Sequence, residues 1–259
     1  MLDQRTIDDY RRDGAVPLRN ILTPDEVDAL REGVAINQAE PGPLALVQSA
    51  TFFEDFRNWN RIPQFERVVR ASKLAEAAAD LMGSSETRLF HDHVLVKEAG
   101  SQERTPWHQD QPYYCIDGMQ NVSFWIPLDP VAEANTLTFA AGSHASGTWY
   151  MPRTFVSKTP MVFDEGTLQE VPDIDGNPQE HRILSWPLEP GDAVAFHMLT
   201  LHQAAGSPTR RRAFSLRLVG DDVTYAPRPH RTSPPFPELA EHPANGPLPD
   251  DLFPVLHTK

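Results

Sequence analysis

The 259 residues predict a mostly β chain, an antiparallel double-sheet jelly roll flanked by helices at its amino-terminal side. Three observations carry this. From Thr87 onward apolar residues alternate with a period of two in short runs, among them 122–128, 137–140 and 212–219. Turn residues separate those runs, and no helical crossovers lie between them, which disfavours a parallel sheet. Before residue 85 the spacing is helical instead, as at Val27, Leu30 and Val34.

In chain order, Thr6 is placed to cap a helix over 7–13, with Gly14 as its stop. Residues 15–18 read as a short strand. The run Thr23-Pro24-Asp25-Glu26 marks a second helix start with proline at the first helical position, and Pro41-Gly42-Pro43 ends it. Residues 44–62 are mixed, with Phe52, Phe53, Phe56 and Trp59 expected on the core. A further helix is predicted over 64–81, stopped by Gly83. Strands are predicted over 88–97, 122–128, 137–140, 183–188, 192–197 and 212–219. Residues 148–177 are too polar and irregular for sheet and read as an insertion loop or lid. Beyond Asp221-Asp222 the prolines at 227, 229, 234, 235 and 237 call for extended loop. No repeat or linker divides the chain. The expectation is one domain: a helical flank (1–85), a jelly-roll core (86–220) and a Pro-rich tail (221–259).

The net charge of −13 disfavours nucleic acid and anionic membranes as partners, since both attract basic patches. It also weighs mildly against polyanionic acyl-CoA substrates. The single cysteine, Cys115, permits no internal disulfide. No apolar run approaches the roughly 18 residues of a membrane span. The start Met1-Leu2-Asp3-Gln4-Arg5 lacks the pattern of a signal peptide. A soluble cytoplasmic protein is expected, and no feature points to an oligomeric state.

The chemistry centres on Thr105-Pro106-Trp107-His108-Gln109-Asp110. On a strand His108 and Asp110 face the same way. An imidazole and a carboxylate converging on one point make two-thirds of the facial triad that holds non-haem Fe(II). The third ligand is a distant histidine, for which His202 is the candidate. His197 is its rival, but an odd interval of five puts the two on opposite faces of a regular strand. An isolated H-x-D is a weak signal, more often a surface pair. The distal His, the Arg210-Arg211-Arg212 run and the β-rich interval strengthen it.

The run from Trp107 to Tyr114, together with 92–97, 124–129, 141–144 and 191–211, resembles the phytanoyl-CoA dioxygenase family of Fe(II)- and 2-oxoglutarate-dependent oxygenases. Residues 10–14 and 22–27 resemble it too, so the likeness covers nearly the whole chain. It implies a double-stranded β-helix, a cupin-like barrel. It also implies Fe(II) held by His108, Asp110 and His202, with 2-oxoglutarate and O2 as co-reactants and succinate and CO2 as products. Arg211 leads the family-like Arg211-Arg212-Ala213-Phe214-Ser215 and would hold the far carboxylate of 2-oxoglutarate. Arg210 and Arg212 stay open as alternatives, because the His-to-Arg interval is shorter than in many members. Trp125 and His93 fall beside the cosubstrate, and Lys97 matches a lysine serving either substrate or structure. Ala204 stands where the family often carries a hydroxyl, and 141–144 reads as a scaffold turn.

The resemblance implies a hydroxylase, and retention of Asp110 favours this over halogenation. A cupin-like metal enzyme without 2-oxoglutarate and a non-catalytic binding protein are the alternatives. Gln111, Tyr113 and Tyr114 follow the metal pair and are expected to border substrate, opposed by Phe163 from the insertion. Tyrosines suit an amphipathic small molecule, so a free metabolite is expected, with 148–177 gating its entry.

Overall fold

The computed structural model describes residues 1–152 and 168–259. The amino-terminal flank comprises α1 (Gln4–Asp13), β1 (Ala15–Leu18), α2 (Pro24–Ala39), β2 (Leu46–Ser49), β3 (Phe52–Phe56), α3 (Pro63–Ala71) and α4 (Leu74–Met82). The body adds β4 (Glu86–Lys97), β5 (Thr105–His108), β6 (Ile116–Asp117), β7 (Asn121–Pro127), β8 (Leu137–Ala140) and β9 (Ile183–Leu184). It continues through β10 (Ala193–Phe196), β11 (His202–Ala204) and β12 (Arg211–Val219), and ends with β13 (Thr224–Tyr225) and β14 (Val255–Thr258). No helix among the described residues is long and apolar enough to cross a membrane.

Two antiparallel sheets make the jelly roll. The larger runs β1-β10-β7-β12-β4-β3-β2, with β14 added on β4, and the smaller runs β5-β11-β8-β9. Hydrogen bonding does not close them into a barrel. The period of two decides what each strand of the large sheet faces. Val94 and Val96 of β4, Phe124 and Ile126 of β7, and Phe214 and Leu216 of β12 pack with the helices into the main apolar core. The alternate residues, including His93, Lys97, Trp125, Arg211 and Arg217, line a cavity between the sheets.

Local signals explain the helix ends. Thr23 and Glu26 form a capping box at the helix start expected from the sequence. The first helix begins earlier than expected: Asp3 is its N-cap, accepting from Thr6 N, so Thr6 lies inside it. The single helix expected over 64–81 is two, because Ser72 is extended and Lys73 starts afresh. Residues 44–62, expected to be mixed, contain β2 and β3, which extend the large sheet beyond β4. The tail is not only loop: β14 pairs with β4, and Phe236, Leu239 and Phe253 pack on Phe90 and Tyr114.

Gly14 ties the amino terminus to the site. At φ 78° it ends α1, and its carbonyl accepts from His197 N (2.9 Å) and Thr200 Oγ1 (2.8 Å), in the segment leading to His202. A Cβ there would collide with His144 Nδ1 and Thr200 Oγ1. Gly14→Ala is therefore expected to destabilise the fold by about 2–4 kcal/mol, from left-handed strain plus overpacking. Urea denaturation measures this, and an unchanged midpoint would contradict it.

Candidate active site

His108 closes β5 and His202 opens β11, and the two are register partners in the small sheet. Asp110 lies two residues beyond the end of that strand, in a helical backbone conformation (φ −75°, ψ −46°). The expected strand alternation therefore does not bring it to His108. A turn does, pinned by Asp110 N donating to Met198 O at 2.8 Å. Asp110 Oδ1 stands 3.5 Å from His108 Nε2 and 3.6 Å from His202 Nε2. One donor atom from each of the three residues lies within 4.8 Å of the others.

Both rings are oriented from behind. His108 Nδ1 donates to Pro106 O (2.8 Å) and His202 Nδ1 to Thr200 O (2.9 Å), which leaves each Nε2 as the lone pair facing the cluster. Burial and the neighbouring His108 push His202 down to about 3, so its ring is neutral at physiological pH. Two imidazoles and a carboxylate, gathered at one edge of a cavity, form a donor set that fits Fe(II) with positions left open.

The second carboxylate oxygen is occupied. Asp110 Oδ2 accepts from Ser123 Oγ and from Arg217 Nη2, each at 3.2 Å. Burial alone would raise the Asp110 pKa, but Arg217 and the two histidines hold it well below the ordinary range. Asp110 is thus a buried carboxylate that stays charged.

The cavity encloses about 870 Å³ of atom-free space, its open mouth included. At its far end Lys97 and Arg211 are cross-strand partners on β4 and β12. Lys97 Nζ donates to Glu103 O (2.6 Å) and Ala205 O (3.1 Å), and Arg211 donates to Asn135 O and Ala205 O. The Arg211 guanidinium sits 5.7 Å from the Trp125 ring centre. Neither cation has a carboxylate within ion-pair distance among the described residues. Burial, then the charge of Arg211, pushes Lys97 down to about 7, and burial lowers Arg211 to about 10. Between these ends His93 Nε2 meets Glu54 Oε2 at 3.2 Å, with Phe56 stacked on the His93 ring.

Most sequence-predicted residues reach this cavity: the triad, Arg211, Trp125, His93, Lys97, Tyr113 and Tyr114 all line it. Gln111 does not. Its amide donates to Gly118 O and its Oε1 accepts from Asn121 Nδ2, so it braces the turn after Asp110. Phe163 lies outside the described residues. Arg210 and Arg212 point elsewhere, to Glu98 and to Asp129 respectively, leaving Arg211 as the buried member of the run. His197 is buried against His144 and donates to Met119 O, away from the cluster. Arg217, Ser123 and Glu54 were not anticipated. The signal for Arg217 was there: it continues the Arg211, Ala213, Ser215 alternation inside an otherwise apolar strand.

A buried lysine with a depressed pKa has a stability consequence. Above pH 7 the unfolded chain keeps a proton on Lys97 that the fold sheds, so the destabilisation is greatest at and below about pH 7. It fades as pH rises towards the ordinary lysine range. Lys97→Met should therefore raise stability at pH 7 by about 1–3 kcal/mol and flatten the pH dependence between 7 and 10. Chemical denaturation across that range reads it, and a less stable variant would refute the assignment.

The phytanoyl-CoA dioxygenase (PhyH) family model matches residues 10–213. An L-proline trans-4-hydroxylase from Streptomyces griseoviridis is 27% identical over 251 residues, covering 88% of this chain and 89% of its own. Among solved structures, the epimerase SnoN in complex with Fe3+, alpha ketoglutarate and nogalamycin RO superposes at a TM-score of 0.77. The two are 22% identical, with 98% of each chain covered. EctD from S. alaskensis, with 2-oxoglutarate and 5-hydroxyectoine, reaches 0.72 at 21% identity over 95% of this chain and 86% of its own. These structural likenesses show a shared fold. With its family match spanning well over half its length, the chain belongs to the phytanoyl-CoA dioxygenase family.

Proposed function

We propose that the chain is an Fe(II)- and 2-oxoglutarate-dependent dioxygenase that hydroxylates a small or medium free metabolite, releasing succinate and CO2. The observation that carries this reading is the cavity itself. It has a two-histidine, one-carboxylate cluster at one end and, at the other, two buried cations that have no carboxylate partner among the described residues. When bound, Fe(II) with 2-oxoglutarate and O2 supplies oxidation of an unactivated C–H bond, chemistry that no side chain performs alone.

The chain's residues orient and exclude. His108, His202 and Asp110 Oδ1 offer three ligands on one face. Arg211 offers a planar fork to the far carboxylate of 2-oxoglutarate, with Trp125 beneath it and Lys97 as a second cation. Arriving there, a dianion supplies the counter-charge these cations lack. Phe52, Phe56 and Leu137 keep water from the chamber, while Tyr113 and Tyr114 border the metal side, where substrate enters. Gln109 Nε2 donates to Thr148 O, and Trp107 Nε1 donates to Asp175 Oδ1. Both ends of the 148–177 segment are thus tied to the ligand-bearing strand, which supports its reading as a lid.

The hydroxylase outcome is supported by the L-proline hydroxylase among the relatives, whose substrate is a free amino acid. The acidic chain supports a free metabolite over an acyl-CoA, and with its buried cysteine it supports a cytoplasmic location.

Asp110→Ala is expected to abolish Fe(II) binding by calorimetry and, by stranding Arg217, to lower stability by about 3–5 kcal/mol. Unchanged iron affinity would overturn the triad. Among alanine variants of Arg210, Arg211 and Arg212, Arg211→Ala should raise the KM for 2-oxoglutarate most, by a loss of about 3–5 kcal/mol. Succinate formation against free acids, amines, terpenoids and acyl-CoAs tests the substrate class. Turnover restricted to acyl-CoAs would exclude the free metabolite.

A further inference from the structure

Arg217 has more donors than its neighbours use. Its Nη2 donates to Asp110 Oδ2 and the Tyr114 side chain lies against it, yet Nε and Nη1 have no hydrogen-bond partner among the described residues. The residue is only 6% exposed, and it lines the same cavity as the triad. Buried charged donors are rarely left unmet, because each forfeits its hydration without replacement. A site with this deficit suits an acceptor that arrives with a ligand.

That acceptor is not the far carboxylate of 2-oxoglutarate. Arg217 stands six residues beyond Arg211 on the same face of β12, roughly 20 Å along an extended chain. Lys97 and Arg211 already serve that distant end. The charges point the same way. Lys97, Arg211 and Arg217 face two cavity carboxylates, Glu54 and Asp110. Fe(II) and the 2-oxoglutarate dianion cancel each other, so with Lys97 charged against the dianion one positive charge is left over among the described lining residues. Tyr114 lies against Arg217, and the same cavity is lined by Phe56, Tyr113 and Ser233. The unpartnered Nε2 of His91, its cross-strand neighbour, does not line the cavity.

We propose that Arg217 anchors the carboxylate of the primary substrate, so that the substrate class is a free carboxylic acid. One nitrogen stays on Asp110 while the free N–H groups take the incoming carboxylate as charge-assisted hydrogen bonds. This sets the acid group beside the metal ligands and directs the rest of the molecule along the tyrosine wall. The proposal rests on the oxygenase reading above.

The test is anaerobic calorimetry on the protein loaded with Fe(II). Titration with 2-oxoglutarate comes first: failure to bind overturns the oxygenase reading. The loaded protein is then titrated with matched pairs, each free acid against its own amide, drawn from amino acids, aryl acids and terpenoid acids. At least one acid is expected to bind about ten- to hundredfold tighter than its amide. Arg217→Gln should erase that ratio, leaving the acid bound no tighter than its amide. A residue that only positions Asp110 would weaken acid and amide alike and leave the ratio intact. If Arg217→Gln does not fold, Arg217→Lys keeps Asp110 paired and should cut the ratio about tenfold, since a lysine lacks the planar fork. Equal affinities in the wild type, no acid bound, or a ratio that survives substitution would each overturn the assignment.

Discussion

Asp110 carries its charge at 5% exposure, and the architecture of the site follows from keeping that charge satisfied. Its carboxylate belongs to the turn after a small-sheet strand, whereas Arg217 and Ser123, which hold Oδ2, belong to β12 and β7 of the large sheet. The contact therefore spans the cavity and fixes how far apart the sheets stand at the metal end. A buried ion pair of this kind contributes little net stability, because desolvation offsets its attraction. Its effect is geometric. With Oδ2 committed, Oδ1 alone is left towards the two Nε2 atoms, and the cluster is preorganised before any ion arrives.

The helix-and-sheet pattern was legible because periodicity reports burial directly. The strand of β12 and the start of α2 stand where sequence placed them to within a residue or two. What escaped was determined by pairing rather than by pattern. Strands β2 and β3 form only because β4 offers an open edge, and β14 returns from a tail whose prolines suggest loop alone. The helix expected over 64–81 kept its apolar spacing across the break at Ser72, so periodicity could not see it. The cavity-facing place of the triad was readable from residue types, but for Asp110 the stated reason was wrong: backbone hydrogen bonds from a turn do what strand alternation was expected to do. Arg211 was separable from its neighbours only by burial. Glu54 was invisible because it lies on β3, a strand the sequence did not announce.

The same division of faces explains how so many polar groups survive between two sheets. In β4, β7 and β12, alternate residues make an apolar layer against the helices, and that layer supplies the hydrophobic stabilisation of the fold. The other face is then free to carry Lys97, Arg211 and Arg217 at a cost the core can bear. The cavity wall at the metal end has a different origin. Ser233 N donates to Tyr113 O and Arg228 donates to Tyr114 O, so the tail holds the backbone of both tyrosines. On the proposed reading, the residues that would hold the cosubstrate sit on regular sheet, while the wall proposed to face substrate is set by a loop and the tail that braces it. Loops accept change more readily than paired strands. The architecture lets the molecule that is oxidised vary while the end holding the cosubstrate stays fixed.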